Sequence, residues 1–435
     1  FHTIPVTPIA YGEAEKILGQ MKGKPVPQRW QGGLPFTYRL EGGEQLTVRL
    51  KVNQKIDFVR ATNVVGMIKG SEAPDEWIIL GSHYDAWGFG ATDPNSGTAM
   101  LLSLSETLGK LAKSGIPPKR SILIAHWDAE EHGVIGSSEW VEQMRDELNA
   151  KGIAYMNFDG GVSGKNFGAS AAPTLKNTVI EASKKVKYPY TDQTLFEFWK
   201  KDNPTEPKIG NLGGGSDHIA FYMHVGVPSM SGGAGGTNLY HSNYDSFQFY
   251  EQFVDPEFQM GPMVEQMAGL MALRLANGDL ISYNLNKYPA DLKMHFDAAT
   301  AKIKKYDKQF EGFQKVAKAI ETLQKTSEKL TLEIEMFLNQ KALPKKKISN
   351  LNQQLIGLEK SFISEKGMYF GSWYKSLYAS SDPFSGYAAW ILPGLEYEIA
   401  LKSSERLEEW EQRYVNAIRS LNDKMLRMNA TVTGE

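Results

Sequence analysis

The stretch Trp77-Ile-Ile-Leu-Gly81, running directly into Ser82-His83-Tyr84-Asp85, decides how the first part of the chain is read. A compact apolar run that ends in a histidine and an aspartate is the pattern of a buried strand with polar chemistry at its carboxyl end. Two further runs repeat it. Ser121–Trp127 leads into Asp128-Ala129-Glu130-Glu131-His132-Gly133, and Ala154–Phe158 leads into Asp159-Gly160-Gly161. Between them, Gly97–Ser114 and Gly136–Ala150 carry apolar residues at helical spacing. Such alternation predicts a mixed, mostly parallel sheet covered by helices on both faces, an α/β three-layer sandwich, with its functional groups at the strand ends. Upstream, Gln45–Val52 alternates polar and apolar like a strand, and Asp57–Met67 is its expected partner.

Beyond about residue 285 the pattern changes. Ile303, Tyr306, Phe310, Phe313, Val316, Ile320 and Leu323 recur at spacings of three and four, and Leu330, Ile334 and Phe337 continue the series. This predicts one long amphipathic helix ending before Pro344, with further helices near 346–362 and 397–428. The chain thus divides into an α/β domain over 1–283 and an all-α helical bundle over 284–435.

Composition narrows the function. The 435 residues suffice for two or three domains. Lys and Arg total 48 against 50 Asp and Glu, so no whole-molecule field favours nucleic acid or acidic membranes. There is no cysteine, which excludes disulfides, thiol catalysis and Cys-based metal sites. No apolar run reaches the roughly eighteen residues that a membrane-spanning helix needs. The first residue is Phe1 and no signal-like segment follows it; any targeting signal would lie upstream.

Histidines and carboxylates gather in four segments: His83, Asp85 and Asp93; Glu130 and Glu131; Asp159; and His241 within Leu239-Tyr240-His241-Ser242. Taken singly, each fits an ordinary turn, cap or solvated charge. Together at successive strand ends they fit a two-metal hydrolase. Without cysteine, zinc is satisfied by imidazole and carboxylate. Two ions need a carboxylate shared between them, ligands on each side and a water. Three ligating carboxylates and a bridging hydroxide balance two dications, and one of the adjacent glutamates is then left to take a proton.

His83-x-Asp85 with Asp93-Pro-x-Ser-Gly, Trp127-Asp-Ala-Glu-Glu-x-Gly, Asp159 and Tyr240-His241-Ser242 together resemble the M28 metallopeptidases. The branch they resemble is that of glutamate carboxypeptidase II and the transferrin receptors, over nearly the whole chain from Ile4-Pro5-Val6 to the C-terminal helices. The resemblance implies a zinc exopeptidase-like fold and a helical dimerisation domain that would pair two copies. It implies two zinc ions bridged by Asp93, one completed by His83 and Asp159, the other by Glu131 and His241. Glu130 would be the general base. Asp85 would accept the other imidazole N–H of His83, Tyr240 would donate to the oxyanion, and the Gly215 carbonyl would meet the substrate amide. Glu139 and Glu142 match carboxylates that hold a structural Ca²⁺ in that family.

Two departures bear on the substrate. Gly386-Tyr387 stands where the family has a Lys-Tyr pair for C-terminal glutamate, so Tyr387 is kept as a substrate contact and the cation is not. Ser231–Thr237 lacks the arginines that favour an acidic residue on the amino side. The expected activity is that of an aminopeptidase or broad dipeptidase acting on less charged peptides. The alternatives are a non-catalytic scaffold like the transferrin receptors and a glutaminyl cyclase-like acyltransferase; all five ligand positions and Glu130 being kept argues against the first, and Glu131 and His241 beside Asp93 against the second. The resemblance further implies an apical protease-associated domain and a first peptidase segment upstream. The chain is therefore expected to be a fragment, a nicked protein or one of two partner chains. Export of related bacterial enzymes implies a periplasmic or extracellular setting.

Overall fold

The computed structural model describes residues 6–53, 55, 57–201 and 203–434, so Ile4 and Pro5 of the upstream edge lie outside the described residues. Up to Arg60 the described residues form one compact unit, and from Ala61 onward they form another. The first unit holds helix α1 (Tyr11–Leu18) and an antiparallel pair, β1 (Lys22–Pro25) and β2 (Arg39–Glu41). Gln45–Val52 is not a strand, contrary to expectation. Alternation marks a side that could be buried, but a strand also needs a neighbour for its N–H and C=O groups. No ladder partner exists for this run among the described residues, and Val48 and Leu50 are exposed.

Its expected partner, Asp57–Met67, is extended in a ladder only at its end, as β3 (Val64–Ile68), which belongs to the second unit. There β3 pairs antiparallel with β5 (Arg120–Trp127), at the edge of a six-stranded sheet. The other strands are β4 (Ala73–His83), β6 (Gly152–Asn157), β7 (Asn166–Ala171) and β8 (Ser229–Gly235), in the order β3-β5-β4-β6-β8-β7. The four central strands run parallel and both edge strands antiparallel. In register, His83 lies opposite Trp127 and Gly81 opposite Asn157. The three buried runs therefore end nearly level, and the segments that follow them emerge on one rim.

Side chains of a strand alternate between faces, and here the alternation separates two cores. Ile78, Leu80, Ile122, Ile124 and Met156 pack with Met100, Leu101, Leu104 and Leu108 of α2 (Asn95–Lys113). Trp77, Ile79, Leu123, Ala125 and Tyr155 pack with Val141 of α3 (Ile135–Gln143) and Leu148 of α4 (Arg145–Lys151). The expected three-layer sandwich is present. The helical run expected over Gly136–Ala150 is split in two at Met144. Further on come α5 (Lys176–Ser183), the short α6 (Leu195–Trp199) and α7 (Phe247–Phe249), and α8 (Met260–Asn277), which lies beside α2.

The C-terminal region contains α9 (Lys287–Ile303), α10 (Gln314–Leu338), α11 (Lys345–Ile356), α12 (Pro393–Leu401) and α13 (Leu407–Thr433). The long helix expected through Ile303–Phe337 is interrupted between Ile303 and Gln314, where Gly312 takes φ +110°. Phe313 is buried all the same, with its ring 5.5 Å from that of Phe296. Apolar spacing reports which residues are buried, not whether the backbone between them is hydrogen-bonded as a helix. The 346–362 stretch is helical to Ile356 and then tightens into a 3₁₀ turn over Glu359–Phe362. The 397–428 stretch breaks at Lys402, which adopts φ +53°. Nor is the region wholly helical: β9 (Ala379–Ser381) and β10 (Ala389–Ile391) form an antiparallel hairpin whose loop carries Gly386 and Tyr387. Among the described residues no helix is long and apolar enough to cross a membrane.

Candidate metal centre

His83 ends β4 and is almost fully buried. Its Nδ1 lies 2.8 Å from the main-chain carbonyl of Asp85. A carbonyl can only accept, so Nδ1 donates and Nε2 is left facing Asp93 Oδ1 at 3.2 Å. The Asp85 carboxylate, expected to accept this N–H, lies beside the carbonyl at 3.4 Å from Nδ1, and it also accepts from the backbone N–H groups of Glu130 (3.0 Å) and Glu131 (3.1 Å). Asp85 thereby ties the loop after β4 to the loop after β5.

The loop after β5 turns sharply at Ala129, a non-glycine residue at φ +57°. Asp128 anchors it by accepting from Ala129 N at 2.9 Å and from Thr62 N at 2.7 Å. Glu130 and Glu131 then point to different partners: Glu130 Oε2 is 3.8 Å from His83 Nε2, and Glu131 Oε2 is 3.0 Å from His241 Nε2. His241 Nε2 also lies 3.6 Å from Asp93 Oδ2. Asp93 thus offers one oxygen toward each imidazole.

Asp159 is positioned from behind by a buried relay. Trp127 Nε1 donates to the Tyr155 hydroxyl (2.9 Å), which donates to Asn157 Oδ1 (2.8 Å). Asn157 Nδ2 donates to Asp159 Oδ2 at 2.9 Å, and Ser216 Oγ donates to the same oxygen. Asp159 Oδ1 is buried and has no protein partner among the described residues. Helix α2 packs close beneath: a Cβ on Gly97 would fall 1.5 Å from the Phe158 carbonyl oxygen, so only glycine fits.

The sequence reading missed Asp245. Its carboxylate accepts from Thr92 N at 3.0 Å and from Asp93 N at 3.2 Å, and its own carbonyl accepts from Ala91 N. It therefore clamps the Asp93 loop to the His241 loop. Ser216 was missed in the same way, because its contacts to Asn157 and Asp159 span more than fifty residues; Asn157, two residues before Asp159, was missed because its role depends on the buried Tyr155 and Ser216 groups around it.

Burial works against a charged His83, but Asp85 and Asp93 beside it, with Asp159 and Glu130, outweigh that and raise it to about 12. Burial, then the charges of Asp159 and Asp217, push Glu130 up to about 9. Glu131 is raised as well, by burial first, with His241 opposing and Asp93 adding. Five carboxylates around two imidazoles leave an excess of buried negative charge. Cations would remove it. The ligand atoms of His83, Asp93 and Glu131 lie within 4.8 Å of one another, as do those of His83, Glu130 and Asp159. The nitrogen and oxygen donors, and the orphaned Asp159 oxygen, fit zinc.

Tyr240 stacks on His241 with ring centroids 3.6 Å apart. Burial, then the neighbouring Tyr387 hydroxyl and the Asp93 and Glu131 charges, raise its pKa and keep its hydroxyl a donor. Gly215 sits at φ +75° with the Tyr387 ring where its Cβ would be. A cavity of about 600 Å³ extends from this point past Gly213–Ser216 and Gly232–Gly233, and a second of about 550 Å³ opens on the side of Trp87 and Trp373; Glu130, Gly215, Tyr240 and Tyr387 line both. Glu139 and Glu142 are exposed, and Glu142 accepts from Trp373 Nε1 at 2.6 Å. Neither joins a converging group of three metal-capable side chains among the described residues.

Carboxylates and imidazoles converge at the carboxyl rim of the sheet, the arrangement of a metal centre in an α/β fold. The chain belongs to peptidase family M28: residues 63–254 match the profile "Peptidase family M28", and residues 302–426 match "Transferrin receptor-like dimerisation domain". It is 39% identical over 338 residues to "Probable glutamate carboxypeptidase LAMP1" of Arabidopsis thaliana, covering 77% of this chain and 48% of that one. It is 30% identical over 421 residues to "Aminopeptidase NAALADL1" of Mus musculus, covering 89% and 56% respectively. The chain spans about half the length of the curated relatives it matches. Among solved structures, BSAP, a zinc aminopeptidase from Bacillus subtilis, matches at 20% identity over 50% of each chain with a TM-score of 0.39.

Proposed function

We propose that this chain hydrolyses the peptide bonds of small peptides as a dizinc exopeptidase. The observation that carries the reading is Asp93, whose two oxygens face His83 and His241 separately. His83 and Asp159 would hold one ion and Glu131 with His241 the other, Asp93 being shared. Zinc bound there supplies the Lewis acidity that makes water a nucleophile near neutral pH and polarises the peptide carbonyl. Glu130, buried at the cavity wall, takes the proton of the attacking water and returns it to the leaving amine. The Tyr240 hydroxyl donates to the oxygen on which charge develops. Gly215, held against Tyr387, offers its carbonyl to the substrate amide.

Among the described residues, no lysine or arginine lines either cavity. A glutamate side chain would lose its hydration there without a charge-assisted partner. This supports an aminopeptidase-like or broad dipeptidase activity over strict glutamate release; among the relatives both kinds of name occur. The match to a dimerisation domain supports a homodimer, and Leu332 and Met336 form an exposed apolar strip on α10. Metal analysis is expected to find close to two zinc ions per chain, and exhaustive chelation to abolish dipeptide hydrolysis. Hydrolysis that survives complete metal removal would overturn the mechanism.

A further inference from the structure

The second cavity differs in chemistry from the first. Gly213–Ser216, Gly232, Gly233 and small polar side chains such as Ser163, Asn166 and Ser170 line the first. Trp87, Val134, Ile219, Trp373, Tyr374 and Tyr387 wall the second. That wall is held in place. Trp373 Nε1 donates to Glu142 Oε1 at 2.6 Å, its ring stacks on His224 at 4.7 Å, and its carbonyl accepts from His224 Nδ1 at 2.8 Å. Tyr374 meets it edge-on at 5.4 Å and 89°. Gly386 leaves the far side open, with nothing within 4 Å of where its Cβ would be. A preorganised aromatic wall gains from burying an apolar group without first having to be ordered.

We propose that this arm seats an aromatic or large aliphatic residue of the peptide, with Trp373 and Tyr374 as the residues that select it. The inference rests on the peptidase reading above and names its substrate class. It is tested on the zinc-loaded chain carrying Glu130→Gln, in which binding is read by calorimetry without turnover. The probes are Phe-Ala, Ala-Phe, Glu-Ala and Ala-Glu. Phenylalanine at one of the two positions is expected to bind about 10-fold or more tightly than glutamate at the same position, the discrimination an apolar pocket provides. Adding Trp373→Ala is expected to bring that ratio near unity, whereas Trp373→Phe keeps most of it; Tyr374→Ala is the second variant should Trp373→Ala not fold. Glutamate binding as well as phenylalanine at both positions, no binding of any probe, or an unchanged ratio in a folded wall variant overturns the proposal. Hydrolysis by the unsubstituted chain separates the two readings. Turnover with a preference for glutamate sinks the arm's assignment alone, and phenylalanine-selective binding without turnover of any peptide sinks the peptidase reading alone.

Discussion

Asp245 shows how much of the candidate metal centre is held by residues that do not belong to it. Its carboxylate holds the N–H groups of Thr92 and Asp93 while the residue itself follows His241 by four positions. Removing it leaves two buried donors unpaired and frees the shared carboxylate to move. Asp245→Ala is expected to weaken zinc binding by about 10–100-fold, the usual cost of losing an outer hydrogen bond to a ligand loop, and Asp245→Asn, which keeps one acceptor, by less. Titration against a competing chelator measures it; unchanged zinc affinity in a variant with a lowered melting temperature would make Asp245 structural only. Glu130 separates binding from turnover. Glu130→Gln is expected to keep its zinc and lose about 10²–10⁴-fold in hydrolysis rate, as loss of a general base does; full activity would assign the base elsewhere.

Helix α2 connects the core to the site. Its first turn lies against the backbone of Phe158 and Asp159. Gly97→Ala is therefore expected to destabilise by at least about 1–3 kcal/mol through overpacking and to lower zinc content by displacing Asp159. Gly109 on the same helix has nothing within 4 Å of its Cβ position. Gly109→Ala should be neutral or stabilise by roughly 0.5–1 kcal/mol. Thermal unfolding of the pair distinguishes close approach from helix propensity. The same elements show the range of sequence reading. The strands at Trp77, Ser121 and Ala154 were legible because each is a short apolar run bounded by polar turns. A Gln45–Val52 strand and an unbroken helix through Phe310 were expected and are absent, because periodicity says nothing about hydrogen-bond partners or about a glycine that turns the chain.

The α/β and helical regions meet at Glu359. Its carboxyl accepts from Thr174 and, at 3.1 Å, from the Tyr288 hydroxyl, and is buried. Burial pushes it from an ordinary value near 4.5 up to about 7, against the hydrogen bonds that lower it. A carboxyl raised on folding stabilises fully below its unfolded pKa and loses that contribution as pH rises through the folded value. Stability should therefore fall between about pH 4.5 and 7 from this group, and Glu359→Gln should flatten the dependence. Urea unfolding midpoints at about pH 5 and pH 8 check it; an equal difference in both proteins would exclude Glu359 as the source.

The residue types and spacings along the chain were enough to single out His83, Asp93, Glu130, Glu131, Asp159 and His241 as one group, because imidazoles and carboxylates gather in the loops that follow the apolar runs. What only the folded chain decided is how those groups are held and what surrounds them. The Asp85 carboxylate reached Glu130 and Glu131, Asp245 reached the Asp93 loop, and Trp373, Tyr374 and the hairpin residue Tyr387 came together as an aromatic wall beside the site. Those contacts join residues far apart in sequence. Their energies depend on distances of a few ångströms, which no local pattern of residues encodes.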